Sequence, residues 1–287
     1  MKGSLSIFMF RYIFRIISYL ASIFDLDFGL IRRKEAYPPD LVSYTYDKVT
    51  SNLLLQGGHE SSLMEAGLNY LNQNNIKLDV FIDCGANIGT TSYFLRNSFN
   101  KIYCLEPLNK TFQILKMNTE NIDHIECLKF AVGDENIKTT MNYGRGFICG
   151  ASIKDQANSI YEEEVEVKTL DNLFKNLECS HLTIKLDIEN FEFEALKGAK
   201  DLIQRYQPVI ILEILKREIE NGSSPSFKFL QDLGYTFHNP EKKYIGNNRL
   251  FKLLPRNSKI IIRPVKKLFP IYSLYTFLLC MPSNDRS

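Results

Sequence analysis

The sequence predicts an α/β fold in which a mostly parallel sheet is covered by helices on both faces. The first observation is that short apolar runs of strand length alternate with segments of helical periodicity, a pattern typical of parallel sheets with helical crossovers. The second is a glycine turn, "DCGANIG" over residues 83–89, which follows the first of these runs. Glycines at a strand-to-helix turn let the backbone approach a ligand closely, so the turn predicts a binding site.

The predicted strands and helices follow one another along the middle of the chain. The strand-like runs are "DVFIDC" (79–84), "KIYCLE" (101–106), "IECLKFAV" (125–132), "TIKLDI" (183–188) and "PVIILEI" (208–214). Helical spacing of apolar residues covers 89–97, 109–119, 192–204 and 226–233. We therefore expect one α/β domain over residues 35–247, flanked by two terminal segments.

The terminal segments, 1–34 and 248–287, differ from the domain between them in charge. The first carries six basic and two acidic side chains, and the last carries eight basic and one acidic. Because the whole chain has a net charge of only +2, the domain between them is acidic. Enzymes that act on nucleic acid usually carry a basic face on the body of the fold, so we expect no nucleic-acid partner.

Both terminal segments are also apolar, and we expect them to be helical extensions of the domain. Arg11 and Arg15 recur at helical spacing near the middle of the first segment, which disfavours a membrane-spanning helix and a cleaved signal peptide. In the last segment, "LFPIYSLYTFLLCM" is too short to span. We expect peripheral membrane contact through residues 1–24 and 256–281. The alternative is packing onto the domain or onto a second subunit of a homodimer.

The cysteines and histidines indicate neither disulfides nor a metal centre. No CxxC pair occurs among the six cysteines, and Cys84, Cys104 and Cys127 lie in apolar strand-like runs. Buried, reduced thiols are typical of a reducing compartment, so we expect a cytoplasmic location, at the inner surface of a membrane if the terminal segments bind one. The four histidines form no HxH or HExxH motif, and we expect no zinc site.

The glycine turn and the acid after the next strand indicate a cofactor that carries a nucleoside. Gly85 and Gly89 resemble the first part of a dinucleotide motif, but Thr90 stands where a third glycine is expected. Glu106 lies 21 residues after Gly85, at the end of the neighbouring strand. A carboxylate at that position can accept hydrogen bonds from both ribose hydroxyls. These residues leave both NAD and S-adenosylmethionine open.

A series of seven ordered blocks resembles the FkbM-type methyltransferases. The blocks are "FIDCGANIG", "LEPLNKTFQILKMN", "FAVGDEN", "GASI", "VEVKTLDNL", "IKLDIENFEFEALKGA" and "PVIILEI", and the resemblance covers about residues 55–215. It implies a Rossmann-like, seven-stranded sheet of the class I methyltransferase type. It also implies S-adenosyl-L-methionine as the cofactor.

The resemblance further implies a role for each matching residue. The glycine turn with Asn87 would pass the methionyl part of the cofactor, Glu106 would bind the ribose, and Asp187 would face the transferred methyl group. Asp83 would bind the cofactor's ammonium group, directly or through water. The full set of expected cofactor contacts is Asp83, Gly85, Asn87, Gly89, Glu106, Ala131 and Val132.

The acids after the fourth predicted strand are the candidates for chemistry. A carboxylate near the methyl group is the simplest base for a hydroxyl nucleophile, so we expect Asp187 to be the catalytic residue, with Glu189 second. Asp187, Glu189 and Glu213 also offer oxygen ligands for Mg²⁺, but we expect no metal. Glu194 is expected on a helix surface, and Glu192 is open between a structural role and a role in the site.

One residue departs from the family pattern. Asn190 stands where FkbM-type methyltransferases carry a glycine in their D-V-E-G-x-E block. Asparagine is the residue after glycine that best tolerates a left-handed backbone, so we expect the turn to survive. A side chain at this position could narrow the pocket for the acceptor.

The predicted function is O-methylation of a hydroxyl on a glycan or small molecule, with S-adenosyl-L-methionine as methyl donor. One alternative is an NAD-dependent oxidoreductase, which Thr90 and the ordered blocks disfavour. Another is a non-catalytic relative that keeps the fold as a scaffold at a membrane.

Overall fold

A computed structural model describes residues 41–43, 61–144, 147–152, 161–244, 258–269 and 274–283. The described helices are α1 (Ser61–Gln73), α2 (Thr90–Leu95), α3 (Asn109–Thr119), α4 (Leu170–Leu173), α5 (Glu192–Lys197), α6 (Lys200–Tyr206) and α7 (Pro225–Asp232). A single 3-10 turn, Lys216–Glu218, follows β9. The strands are β1 (Val80–Cys84), β2 (Lys101–Leu105), β3 (Ile125–Leu128), β4 (Ala131–Val132), β5 (Ile137–Gly144), β6 (Phe147–Ser152), β7 (Tyr161–Lys168), β8 (Leu182–Leu186), β9 (Val209–Leu215), β10 (Tyr235–Tyr244), β11 (Ser258–Val265) and β12 (Leu274–Pro282).

The main sheet confirms the predicted α/β class. It has eight strands in the order β11-β10-β12-β9-β8-β1-β2-β3, and the five strands from β9 to β3 are parallel. β12 pairs antiparallel with both β9 and β10, so β10 runs in the same direction as β9. Among the described strands, β11 pairs with β10 alone and forms the edge, which makes eight strands where the resemblance implied seven. A smaller sheet has the order β4-β7-β5-β6.

The hydrophobic core lies on both faces of the main sheet. Alternate residues of β1 point to opposite sides: Ile82 packs with α5, α6 and α7, whereas Phe81 packs with α1, α2 and α3. All five residues of β1 and of β8 are buried. Strands covered on both faces read as continuous apolar runs, which explains why these two were recognisable in the sequence.

Two predicted helices have different bounds. The helix predicted over 192–204 consists of α5 and α6, which are separated by Gly198 and Ala199. A Cβ atom on Gly198 would lie 2.0 Å from the carbonyl oxygen of Gly133, so the backbone of the small sheet contacts the break directly. The helix predicted over 89–97 is shorter and covers Thr90–Leu95.

The structure corrects the expectation that the C-terminal segment 248–287 is a helical extension. Its described part forms β11 and β12, and β12 lies inside the main sheet between β9 and β10. Phe277 to Cys280 are each at most 1% exposed, so burial in the core explains the apolarity of this segment. The predicted domain therefore continues past residue 247 to the end of β12.

The other predictions about the termini concern membranes. No helix in the described ranges combines the length and apolarity needed to cross a membrane. The N-terminal segment 1–34, predicted to be helical and to contact a membrane through residues 1–24, lies outside the described residues.

We expect deletion of β12 to abolish folding. A chain that ends at residue 273 leaves β9 and β10 without their shared neighbour and removes Phe277, Leu278 and Leu279 from the core. Each such side chain contributes about 1.5–3 kcal/mol when fully buried. The measurement is solubility and cooperative thermal unfolding. The control is a chain that ends at Ser283, which keeps β12; equal behaviour of the two truncated chains would contradict the role of this strand.

Candidate functional site

A cleft opens at the carboxyl ends of the parallel strands, where the order of the sheet reverses. From β1 the chain proceeds to β2 and β3 on one side, whereas β8 and β9 lie on the other. Ligands of open α/β sheets bind at this kind of switch point. The space between its walls, counted together with the solvent at its open mouth, is about 590 Å³. Its lining residues are Gly85, Asn87, Glu106, Pro107, Leu108, Phe130, Ala131, Val132, Met141, Asp187, Ile188, Glu189 and Phe191.

The turn after β1 requires glycine at two positions. Gly85 has φ +78°, and a Cβ atom on it would lie 2.0 Å from the carbonyl oxygen of Asp187. Gly89 has φ +86°, and a Cβ atom there would lie 2.7 Å from a methyl group of Leu115. At Gly85 the turn packs directly against the end of β8. At Gly89 the start of α2 packs against α3. Both glycines are therefore fixed by close approach as well as by backbone conformation.

Asn87 connects this turn to the acid of the next strand. It has a left-handed backbone, with φ +52°, and its side-chain oxygen accepts a hydrogen bond from the N–H of Ile88 at 2.7 Å. Its own N–H donates to Glu106 Oε2 at 3.2 Å. Asparagine is one of the few residues that tolerate this conformation, and its amide stabilises it locally.

Glu106 is held at the edge of the cleft by two backbone groups. Besides the N–H of Asn87, the N–H of Leu108 donates to its Oε1 at 3.0 Å. Burial raises the pKa of Glu106 to about 7, and these two hydrogen bonds lower it in part. The carboxylate is therefore oriented and close to half ionised at neutral pH, ready to accept hydrogen bonds from a ligand.

The adjacent wall of the cleft is apolar. Ala131 and Val132 form the short strand β4 and are 7% and 3% exposed. Leu108 and Met141 are buried and pack with Ala131. Phe130 also lines the cleft. Next to the Glu106 carboxylate, an apolar wall of this kind suits a heterocyclic base.

Asp187 lies at the centre of the cleft, directly after β8, and is anchored by a lysine. Lys185 Nζ is 2.7 Å from Asp187 Oδ2 and 3.7 Å from Asp83 Oδ1. The Lys185 side chain is 4% exposed and that of Asp83 is 0% exposed, whereas the Asp187 side chain is 29% exposed. The two ion pairs thus connect the core to the cleft, and of these three side chains only that of Asp187 lines the cleft.

Two consecutive residues after Asp187 adopt a left-handed backbone. Glu189 has φ +54° and Asn190 has φ +75°, which confirms the expectation for Asn190. The Glu192 side chain reaches back and accepts hydrogen bonds from the N–H groups of Ile188 (2.9 Å) and Asn190 (3.3 Å). Glu192 is 1% exposed, and burial raises its pKa to about 8. It therefore holds the turn as a structural residue.

Glu213 completes the group of acids around Asp187. The register of β8 and β9 pairs Leu186 with Leu212, so Glu213 lies next to Asp187. Burial, together with the nearby charges of Asp187 and Glu189, raises the pKa of Glu213 far above its ordinary value. Its carboxyl group therefore carries a proton at neutral pH. Within the described parts of the chain, no three His, Cys, Asp or Glu residues are arranged to hold a metal ion.

Comparison with known protein families identifies the family of this chain. The model of the methyltransferase FkbM domain matches residues 83–237, more than half of the chain. The chain belongs to the FkbM methyltransferase family. This membership confirms the resemblance in the sequence, the methyltransferase class and S-adenosyl-L-methionine as the cofactor. No curated protein matches the sequence.

Several solved structures are similar to this FkbM family member. An FkbM methyltransferase from Methylobacillus flagellatus KT is 20% identical over 50% of this chain and 36% of that chain, with a TM-score of 0.35. The chain thus spans about a third of that protein. A precorrin-6y C5,15-methyltransferase from Geobacter metallireducens GS-15 is 12% identical over 86% and 100%, with a TM-score of 0.44. A magnesium protoporphyrin IX methyltransferase from Synechocystis PCC 6803, with bound SAM, is 12% identical over 90% and 92%, with a TM-score of 0.42.

The cleft of the FkbM domain brings together most of the residues predicted from the sequence. Those that line it are Gly85, Asn87, Glu106, Ala131, Val132, Asp187 and Glu189. Gly89 lies behind the turn against α3, and Asp83 is enclosed in the core. The sequence analysis missed Lys185, although a lysine inside a buried strand is a signal, because a buried ammonium needs a carboxylate partner.

We expect Gly85→Ala to destabilise the FkbM domain much more than Gly222→Ala. Both glycines have a positive φ, but a Cβ atom on Gly222 would meet nothing closer than 3.5 Å. The Gly222 variant should lose about 1–2 kcal/mol from the left-handed backbone alone. The Gly85 variant must also separate β1 from Asp187 and should lose roughly 4 kcal/mol or more. The measurement is urea unfolding, and equal losses would show that the close contact does not constrain the turn.

We expect Glu192→Ala to cost about 2–4 kcal/mol of stability, because two N–H groups of the turn lose their acceptor. Glu192→Gln keeps an acceptor oxygen and should be nearly neutral at pH 7. Burial raises the pKa of Glu192 to about 8 in the folded state, so the folded protein holds this proton more tightly than the unfolded chain does. The resulting stabilisation is complete below the pKa of Glu192 in the unfolded chain and is lost as the pH rises through 8. The Gln variant should therefore gain stability relative to wild type between pH 5 and 9. Denaturation at several pH values measures this; a constant difference would contradict it.

Proposed function

We propose that this FkbM methyltransferase transfers a methyl group from S-adenosyl-L-methionine to a hydroxyl group of a small molecule or glycan, with Asp187 as the general base. The observation that carries the proposal is that the cleft joins a carboxylate placed for a ribose, Glu106, to an anchored carboxylate, Asp187. A bound sulfonium cofactor supplies an activated methyl group, so the protein need only align the acceptor, exclude water and remove a proton.

The cleft residues fit the cofactor part by part. Glu106 would accept hydrogen bonds from the ribose hydroxyls, and the apolar wall at Ala131 and Val132 would border the adenine. The turn at Gly85 and Asn87 would border the methionyl part. These roles agree with the residues that line the cleft at the switch point of the sheet.

Asp187 has the position and the support expected of a base for a hydroxyl. Its side chain is 29% exposed to the cleft, and Lys185 holds one of its two oxygens at 2.7 Å. In the transfer, the Asp187 carboxylate would accept the proton of the acceptor's hydroxyl group as the new C–O bond forms and the C–S bond breaks. Glu189 lines the same cleft and adds negative charge beside the acceptor. This role favours a hydroxyl acceptor, since an uncharged amine can attack without a strong base.

We expect the affinity for S-adenosylmethionine to rise with pH through the pKa of Glu106, about 7. The ionised carboxylate accepts from both ribose hydroxyls, whereas the protonated form, which dominates below pH 7, accepts less well. Calorimetric titration should therefore give about tenfold weaker binding at pH 6 than at pH 8.

Glu106→Gln is the control for this measurement. It should bind more weakly at both pH values and lose most of the pH dependence, because the titrating group is absent. Binding of NAD instead of S-adenosylmethionine, or binding unaffected by the variant, would overturn the proposed cofactor site.

For the base, Asp187→Asn should keep its affinity for S-adenosylhomocysteine, whose sulfur is uncharged, and lose methyl transfer to every hydroxyl acceptor that the wild type methylates. Unchanged transfer would overturn that role.

A further inference from the structure

Asp83 is a predicted cofactor contact whose side chain the cleft does not expose. Its side chain is 0% exposed, and Ser92 donates a hydrogen bond to its Oδ2 at 2.7 Å. The other oxygen faces the Lys185 ammonium at 3.7 Å. A ligand in the cleft therefore has no open path to this carboxylate.

Lys185 bridges Asp83 to the cleft. The two residues are directly paired across the parallel strands β1 and β8, and Lys185 Nζ continues to Asp187 Oδ2 at 2.7 Å. A buried ammonium is costly unless carboxylates compensate its charge. Asp83 supplies one of these charges from within the core, and Asp187 supplies the other at the edge of the cleft.

We propose that Asp83 is a positioning residue, which holds Lys185 so that Lys185 fixes the carboxylate of Asp187, and that Asp83 does not bind the ammonium group of the cofactor. This proposal deepens the proposed function and rests on it for the role of Asp187. The geometry favours it because a second cation at Asp83 would have to displace Lys185 from an enclosed site. If Lys185 were displaced from its two partners, the charges of Lys185, Asp83 and Asp187, all buried or half-buried, would each need a new partner.

The first experiment compares two ligands that differ in the amino-acid part. S-adenosylhomocysteine carries the ammonium group, whereas 5′-methylthioadenosine lacks it. Calorimetry with wild type and Asp83→Asn should show the same fold-loss of affinity for both ligands. A loss of about tenfold or more for S-adenosylhomocysteine alone, as for a lost charged hydrogen bond, would overturn the proposal.

The second experiment tests whether Lys185 acts on Asp187. Lys185→Met removes the positive charge beside the carboxylate that faces the sulfur. It should raise the ratio of affinities for S-adenosylmethionine, a sulfonium, over S-adenosylhomocysteine, a thioether, by about threefold or more. Lys185→Arg should keep the wild-type ratio. The matched control is Lys101→Met, which breaks the exposed ion pair with Glu126 at 3.0 Å and should not change the ratio. An unchanged ratio in Lys185→Met would overturn the role of Lys185.

Unfolding temperatures test the ion pair of Asp83 and Lys185 even if the single variants fold poorly. Lys185→Met leaves Asp83 enclosed without its cation and should unfold at a much lower temperature. The double variant Asp83→Asn/Lys185→Met removes both charges and should unfold at a higher temperature than Lys185→Met alone. Additive losses would contradict a coupled pair. If the wild type bound neither S-adenosylmethionine nor S-adenosylhomocysteine, the proposed function would be wrong. The unfolding temperatures would still show whether Asp83 and Lys185 form a coupled ion pair.

Discussion

The close approach of Gly85 to the end of β8 is the constraint on which the site depends. A side chain at this position would collide with the carbonyl oxygen of Asp187. The contact holds the glycine turn directly against the residue proposed as base. It lies at the switch point between β1 and β8, where the cleft opens. Glu106 and the apolar residues of β4 line the same cleft.

Burial divides the acids around this contact into different roles. Glu106 and Glu192 both have a raised pKa because they are buried, but Glu106 lines the cleft and Glu192 holds the backbone of a left-handed turn. Asp187 stays beside a lysine and reaches the cleft. Clustered carboxylates repel one another, so a site with this many acids requires a buried cation, protonated members, or both. Lys185 is the buried cation, and Glu213 is the protonated member.

The sequence was sufficient for the features that depend on local patterns. The strands β1 and β8, the glycine turn and Glu106 were predicted because apolar runs, glycine spacing and strand-end acids appear directly in the order of residues. Lys185 and the enclosure of Asp83 were missed because they depend on pairing across strands that are 102 residues apart along the chain. The same reason applies to β12, whose position between β9 and β10 depends on partners far earlier in the sequence. Its apolarity therefore resembled that of a membrane-binding segment.

A crystal structure of the protein with S-adenosylhomocysteine would show directly which residues contact the cofactor. We expect both ribose hydroxyls on Glu106, the adenine beside Ala131 and Val132, and the sulfur facing Asp187. We also expect Lys185 still to bridge Asp83 and Asp187. A cofactor bound outside this cleft, or an ammonium group in place of Lys185 at Asp83, would contradict this arrangement.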